Sequence, residues 1–196
     1  MYLYCVLSKI IWTCCLSGFL MSVRPIIKVV FVPDKRPEDA QSDTLFYHAD
    51  RKLQWSDFKA TPPARRTSGA VSYSSFAYEG SSIRKKDTLY INLTLQVFHI
   101  KSASWVTSSV QDDYGLAHEQ LHFDITWLVA LRFRKKVTEM ALTADDYDSM
   151  IQYEYIESFR EMNRLQQAYD KETSHGINHF VQYNWQQAIA DSLRAL

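Results

Sequence analysis

The pentapeptide His118-Glu119-Gln120-Leu121-His122 constrains this chain more than any other stretch. It has the form H-E-x-x-H. On a helix, residues four apart lie about 40° apart around the axis and one turn along it. Both imidazoles then leave one face and can hold a single metal ion between them. Neutral imidazole suits zinc, and a catalytic zinc keeps one position for water. Glu119 sits beside the pair, where a carboxylate can take a proton from that water. Chance also produces so short a pattern, so its meaning depends on a helix around it and a third ligand downstream.

The helix is written in the flanks. From Tyr114 to Met140 there is no Pro and a single Gly, Gly115, near the start. Asp112 or Asp113 can cap it, and acids there suit the helix dipole. Leu116, Phe123, Trp127 and Leu131 form one stripe, and His118, His122, Ile125 and Val129 form another on the opposite side. A helix apolar on nearly all sides is buried. Two His and a Glu inside it need partners, because unpaired buried polar groups are costly. The cations Arg132, Arg134, Lys135 and Lys136 read as a solvated helix end that suits the C-terminal dipole.

Strands precede this helix and helices follow it. Ile26 to Val32 is a β-branched run ended by Pro33, and Asp34 to Thr44 reads as linker. Leu53 and Trp55 suggest a strand edge entering a turn, and Val71, Tyr73, Phe76 and Tyr78 a β segment. In residues 88–99, Leu89, Ile91, Leu93, Leu95 and Val97 alternate with Tyr90, Asn92, Thr94 and Gln96, the period of a strand with one apolar face. After Thr143-Ala-Asp-Asp146, which resembles a capping box, a helix runs to about Asp170 with Tyr147, Ile151, Tyr155, Phe159, Met162, Leu165 and Tyr169 on its apolar face. The short turn before it predicts an antiparallel helical hairpin. Gly176 interrupts, and a last helix from about Asn178 is expected to pack through Phe180, Trp185, Ala188 and Ile189. The class is α+β: a small, mostly antiparallel sheet followed by a helical half. One domain is expected over residues 45–196, with 24–44 as strand and linker.

Residues 1–23 differ from the rest. Lys9 is their one charge, and Ile10 to Val23 is uncharged. That run is short for a membrane-spanning helix and fits the apolar region of a signal peptide. Export to the periplasm, envelope or medium is favoured over the cytoplasm, with an uncleaved N-terminal anchor as the alternative. All three cysteines, Cys5, Cys14 and Cys15, lie in this leader, so the body has no disulfide framework and no thiolate metal site. Any metal is left to His, Asp or Glu. The 196 residues carry 22 basic and 22 acidic side chains, which gives no nucleic-acid footprint. No stable protein partner is implied.

The third ligand has several candidates. A His ten residues after His118 is excluded, because position 128 is Leu128. A strict helical hairpin would bring Glu157 and Glu161 level with His122, at a rise of about 1.5 Å per residue. Against them stands the cluster Tyr169 to His175, with Asp170, Glu172 and His175 close together, and His179 beyond. His175 is the better zinc donor, and the nearby carboxylates suit a supporting shell.

Trp55-Ser-Asp57-Phe58, Ser104-Trp105-Val106, His118 to Ile125, and Tyr169-Asp170-Lys-Glu172-Thr173-Ser-His175 occur in the order seen in a bacterial family. Over residues 45–190 the chain resembles the family catalogued as domain of unknown function nine hundred and twenty-two, described as predicted secreted zinc-dependent proteases. The resemblance implies a zincin-like helix with His118 and His122 as ligands of one zinc ion and Glu119 as catalytic base. It also implies that the Tyr169–His175 block belongs to the site, with His175 as third ligand.

The expected function is therefore that of a zinc metallopeptidase acting on a peptide or protein substrate. The strand at 88–99 is expected to offer an edge to an extended peptide. Tyr169, His179 and Tyr183 are candidate transition-state stabilisers. The alternative is a non-enzymatic envelope or binding protein with a structural metal or none.

Overall fold

The structure, a computed structural model, describes residues 24–36, 39 and 41–196. The leader and its cysteines lie outside the described residues. Six strands precede three helices: β1 (Ile26–Phe31), β2 (Thr44–Phe46), β3 (Ala70–Val71), β4 (Ser74–Lys85), β5 (Thr88–Ile100), β6 (Trp105–Val106), α1 (Asp113–Glu139), α2 (Tyr147–Thr173) and α3 (His179–Arg194). This is the α+β order expected.

The alternating stretch is β5, and it is the centre of the sheet. Along one side it pairs antiparallel with the whole of β4. Along the other it pairs parallel with β1, from Ile26↔Thr88 to Phe31↔Leu93, and antiparallel with β2 at Phe98 to Ile100. So β5 is not an edge, and the expectation that it offers one to a peptide is overturned. The packed unit also reaches back to β1, ahead of Leu45. The Leu53/Trp55 alternation is not a strand: Trp55–Asp57 is a single 3-10 turn, closed by Asp57 Oδ2 accepting from the Gln54 N–H at 2.9 Å.

Helix α1 starts where an acid can cap it. The Asp112 side chain accepts from the Gly115 N–H at 2.7 Å. Its apolar faces have two destinations, and Val129, expected on the stripe of His118, His122 and Ile125, packs with Phe123 instead. Phe123, Val129, Ala130, Phe133 and Val137 pack into the core under the sheet with Phe76, Ile91, Leu93 and Val97. Leu121, Ile125 and Leu128 pack on the other side against Tyr169 and Ile189. The helix is thus sandwiched between the sheet and its own C-terminal partners, which is why polar residues within it must find partners.

Helices α1 and α2 form the antiparallel hairpin, but its register differs from expectation. The connection occupies residues 140–146, and Lys136 meets Glu154 at 2.9 Å while Arg132 meets Glu161 at 2.6 Å. With α1 ending at Glu139 and α2 beginning at Tyr147, equal rise on either side of the turn sets His122 opposite about residue 164, so Gln166 and Asp170, not Glu157 and Glu161, come level with it. Lys135 pairs with Glu139 within α1. The cation run is therefore a solvated, ion-paired helix end, as read from its pattern. Helix α3 packs through Gln182, Trp185 and Ile189; Phe180, expected inside, is 73% exposed, and Ala188 is exposed as well. No helix among the described residues is long and apolar enough to cross a membrane.

Candidate metal centre

The first two helices and the start of the third converge on one group. His118 and His122 leave the same face of α1, and the hairpin register brings Asp170 of α2 against both. Asp170 Oδ1 lies 3.2 Å from His118 Nε2 and 3.1 Å from His122 Nε2. These three side chains can hold a metal ion. The donor set, two imidazoles and a carboxylate, is one that zinc accepts.

Two glutamines fix the imidazoles. Gln166 Oε1 lies 2.8 Å from His122 Nδ1, and Gln182 Oε1 lies 3.0 Å from His118 Nδ1. An amide carbonyl only accepts, so each Nδ1 carries a hydrogen; each Nε2 faces Asp170 Oδ1, donating to it while the imidazole is protonated and offering a lone pair once that proton is lost. Gln166 is held in turn: its Nε2 donates to Thr126 Oγ1 at 3.1 Å, and Thr126 Oγ1 donates to the His122 carbonyl at 3.0 Å. Tyr169 stacks on His118 with ring centroids 4.6 Å apart. Partners on the far nitrogen orient a ligating imidazole and raise its basicity.

Electrostatics match this geometry. Burial pushes the Asp170 carboxyl up, but hydrogen bonds from His118 and His122, and their charge, override it and hold the group well below the usual carboxylate range. Burial pushes His122 down, yet the Asp170 hydrogen bond and the charges of Glu119 and Asp170 leave it raised. Glu119 is raised chiefly by burial, which outweighs the opposing charges of His122 and His118. Its Oε2 is buried and has no hydrogen-bond partner among the described residues. A buried acceptor without a donor is expensive. Such an atom suits a water held beside a metal, so the residues present fit the group.

All four side chains line a cavity of about 500 Å³, which also reaches Val71, Ser72, Val110, Tyr114, His175, Ile177 and His179. The expected third ligand, His175, stands apart from the three-residue group. Its side chain is 49% exposed, with Nδ1 3.7 Å from Asp170 Oδ1. The reason is backbone geometry: Ser174, His175 and Gly176 are all left-handed, with φ of 51°, 55° and 85°, so the chain peels off the end of α2 and carries His175 to the cavity wall. Gly176 is required there, because a Cβ would stand 3.2 Å from His118 Nδ1.

The other candidates are placed as follows. Glu157 pairs with Arg160 and Glu161 with Arg132, both away from the site. Glu172 accepts from Trp185 Nε1 at 2.8 Å. Tyr169 is fully buried, with its hydroxyl 3.5 Å from the His118 carbonyl, so it supports the ligand and does not face the cavity. Tyr183 is exposed and does not line the cavity. His179 does line it, stacked on Tyr114 at 3.8 Å. Gln166, Gln182 and Ser72 were missed. Gln166 could have been found as the residue one turn before Asp170 on the same face of α2; Gln182 and Ser72 had no local signal.

An α+β fold carrying an H-E-x-x-H helix, with two buried histidines beside a partly exposed carboxylate, is the class that fold and site define. Comparison with protein-family models, with curated proteins and with solved structures finds no match.

Proposed function

We propose that the protein is a zinc-dependent peptidase of zincin-like type, with His118, His122 and Asp170 holding one zinc ion and Glu119 as general base. The observation that carries the reading is the pairing of that three-residue group with Glu119, which lines the same cavity and has one buried oxygen without a hydrogen-bond partner among the described residues. Zinc held there supplies a Lewis acid that acidifies water and polarises a carbonyl. Glu119 takes the proton of the attacking water as its oxygen bonds the peptide carbon, and returns it to the nitrogen as the C–N bond breaks. A raised carboxyl suits both steps. The uncharged run Ile10 to Val23 supports action outside the cytoplasm.

Strand β3 supports a peptide substrate where β5 does not. It pairs with β6 through Ala70↔Val106 and Val71↔Trp105, and the Thr107 N–H donates to the Gly69 carbonyl at 2.8 Å. In an antiparallel ladder the bonded residues alternate. Gly69 and Val71 therefore turn their main-chain groups to β6, and Ala70 and Ser72 turn theirs away from it, all four residues lining the cavity. An extended peptide can add to that side by main-chain hydrogen bonds.

Glu119→Gln tests the reading. Zinc content should stay at wild-type level while peptide turnover falls about a thousandfold, within the range for a lost general base. Digestion of a peptide library with and without chelator, read by mass spectrometry, locates the activity. Turnover by Glu119→Gln equal to wild type, or cleavage indifferent to chelator, refutes it.

A further inference from the structure

The sheet has a second face, away from α1. Successive strand residues point to opposite sides, and residues paired across neighbouring strands share a side. On the inner side Ile27, Val29, Phe31, Leu89, Ile91 and Leu93 pack with Phe133 and Val137 of α1. On the outer side the registers of β1, β5 and β4 give three rows: Ile26–Thr88–Lys85, Lys28–Tyr90–Ile83 and Val30–Asn92–Ser81. At ordinary strand spacing these rows cover about 10 by 13 Å. Their apolar members are open, with Ile26 55%, Ile83 50% and Val30 39% exposed.

Cations surround these side chains. Lys28 Nζ stands 5.9 Å and Lys85 Nζ 5.8 Å from the centre of the Tyr90 ring. A lysine on an edge strand such as β1 ordinarily keeps other strands from pairing there. Lys28 instead reaches over the face toward the central strand. Lys86 adds a third cation in the two-residue turn between β4 and β5, and Arg24 and Arg84 line a groove at the same end. None of the five has an ion-pair partner among the described residues. The acids nearby are Asp87, in the turn, and Asp145, which lines the groove with the two arginines. Glu79, further along β4, is met by Arg36 at 3.7 Å. In a chain whose 22 basic and 22 acidic side chains balance, this end of the sheet is locally positive.

Charge and apolarity together select the partner. A nucleic-acid strand stacks its bases on aromatic platforms, and Tyr90, the one aromatic ring in the three rows, is already covered by two lysines. A second copy of this face would set like charges against each other. An anionic bilayer answers both features: its phosphates attract the lysines, and its interfacial layer takes up isoleucine and valine with the lysine stems lying along them. The sequence agrees, because the uncharged run Ile10 to Val23 ends directly before Arg24, and cations beside an apolar run are a pattern of anionic-lipid binding.

We infer that the outer face of β1, β5 and β4 docks on a bilayer rich in anionic phospholipid, with Lys28, Lys85 and Lys86 at the phosphates and Ile26, Val30 and Ile83 in the interfacial layer. No residue of these rows lines the metal cavity, so docking leaves the cavity clear. Docking does not depend on peptide cleavage.

Cosedimentation of the full chain with vesicles of phosphatidylcholine, alone or mixed with an equal part of phosphatidylglycerol, tests this. Binding should favour the mixed vesicles and fall as salt rises. A lysine near an anionic surface is worth about fivefold in partitioning, so Lys28→Gln with Lys85→Gln should weaken binding to the mixed vesicles by about twentyfold. Ile83→Gln should weaken it by about fivefold, through lost apolar burial. Lys52→Gln with Lys59→Gln, exposed but outside the patch, should change it by less than about twofold. Equal binding to both kinds of vesicle overturns the inference, as it would show the apolar leader acting alone. A Lys28/Lys85 variant that binds like wild type, or a loss matched by the Lys52/Lys59 variant, overturns it too. So does binding to a DNA duplex or single strand, weakened by the Lys28/Lys85 change, in a protein that leaves the vesicles unbound.

Discussion

Replacing Asp170 should damage metal binding far more than replacing His175, although histidine is ordinarily the better zinc donor. Asp170 Oδ1 stands 3.2 Å and 3.1 Å from the two Nε2 atoms, whereas His175 Nδ1 stands 3.7 Å from Asp170 on a half-exposed side chain. Binding of zinc to a protein site is worth about 10–16 kcal/mol at neutral pH. Shared over four coordination positions, that is about 3 kcal/mol per ligand, or roughly a hundredfold in Kd. Asp170→Ala should therefore weaken zinc binding by about a hundredfold, and His175→Ala by less than about threefold, since it removes no ligand. Competition against a chromogenic chelator at neutral pH reads both constants. A His175→Ala loss equal to that of Asp170→Ala refutes the reasoning and restores His175 as a ligand.

Three further outcomes follow from the same geometry. Gln182→Leu removes the acceptor on His118 Nδ1 and should weaken zinc binding by about 10–100-fold in the same titration, with the helices retained by circular dichroism. Gly176→Ala puts a Cβ at a left-handed position 3.2 Å from His118 Nδ1, so it should cost about 1–3 kcal/mol in urea unfolding; an unchanged midpoint contradicts the close approach. In chelated protein, Asp170 is depressed, so its contribution is present above the ordinary carboxylate range and is lost as pH falls. His122 and Glu119 are raised, so theirs are present below their unfolded values and are lost as pH rises. Thermal unfolding of the chelated protein should thus show greatest stability in the mildly acidic range, about pH 4–6, and zinc, which needs neutral imidazole, should move that maximum upward.

Helix α1 was legible because a helix repeats its neighbours at short range: His118, Glu119 and His122 needed only the 3.6-residue period and a cap at Asp112. The same holds for β5, where period two showed the strand but could not show what flanks it. Whether β5 is an edge depends on β1, a short run more than fifty residues earlier, and no local pattern links the two. The candidate third ligand depends on distant residues in the same way. The hairpin turns about residues 140–146, and counting equal rise outward from that turn puts Gln166 and Asp170, not Glu161, opposite the histidines. The left-handed run at Ser174 to Gly176 then turns His175 aside, a backbone feature that Gly176 hints at but does not locate. Gln182 and Ser72 reach the site from α3 and from the β3–β4 junction; only the folded chain brings them there.

The most direct measurement is an anomalous-difference map at the zinc absorption edge from crystals of the zinc-loaded protein. The account predicts one peak about 2.0–2.2 Å from His118 Nε2, His122 Nε2 and an Asp170 carboxylate oxygen. A peak bound by His175 in place of Asp170, or no peak between His118 and His122, contradicts it.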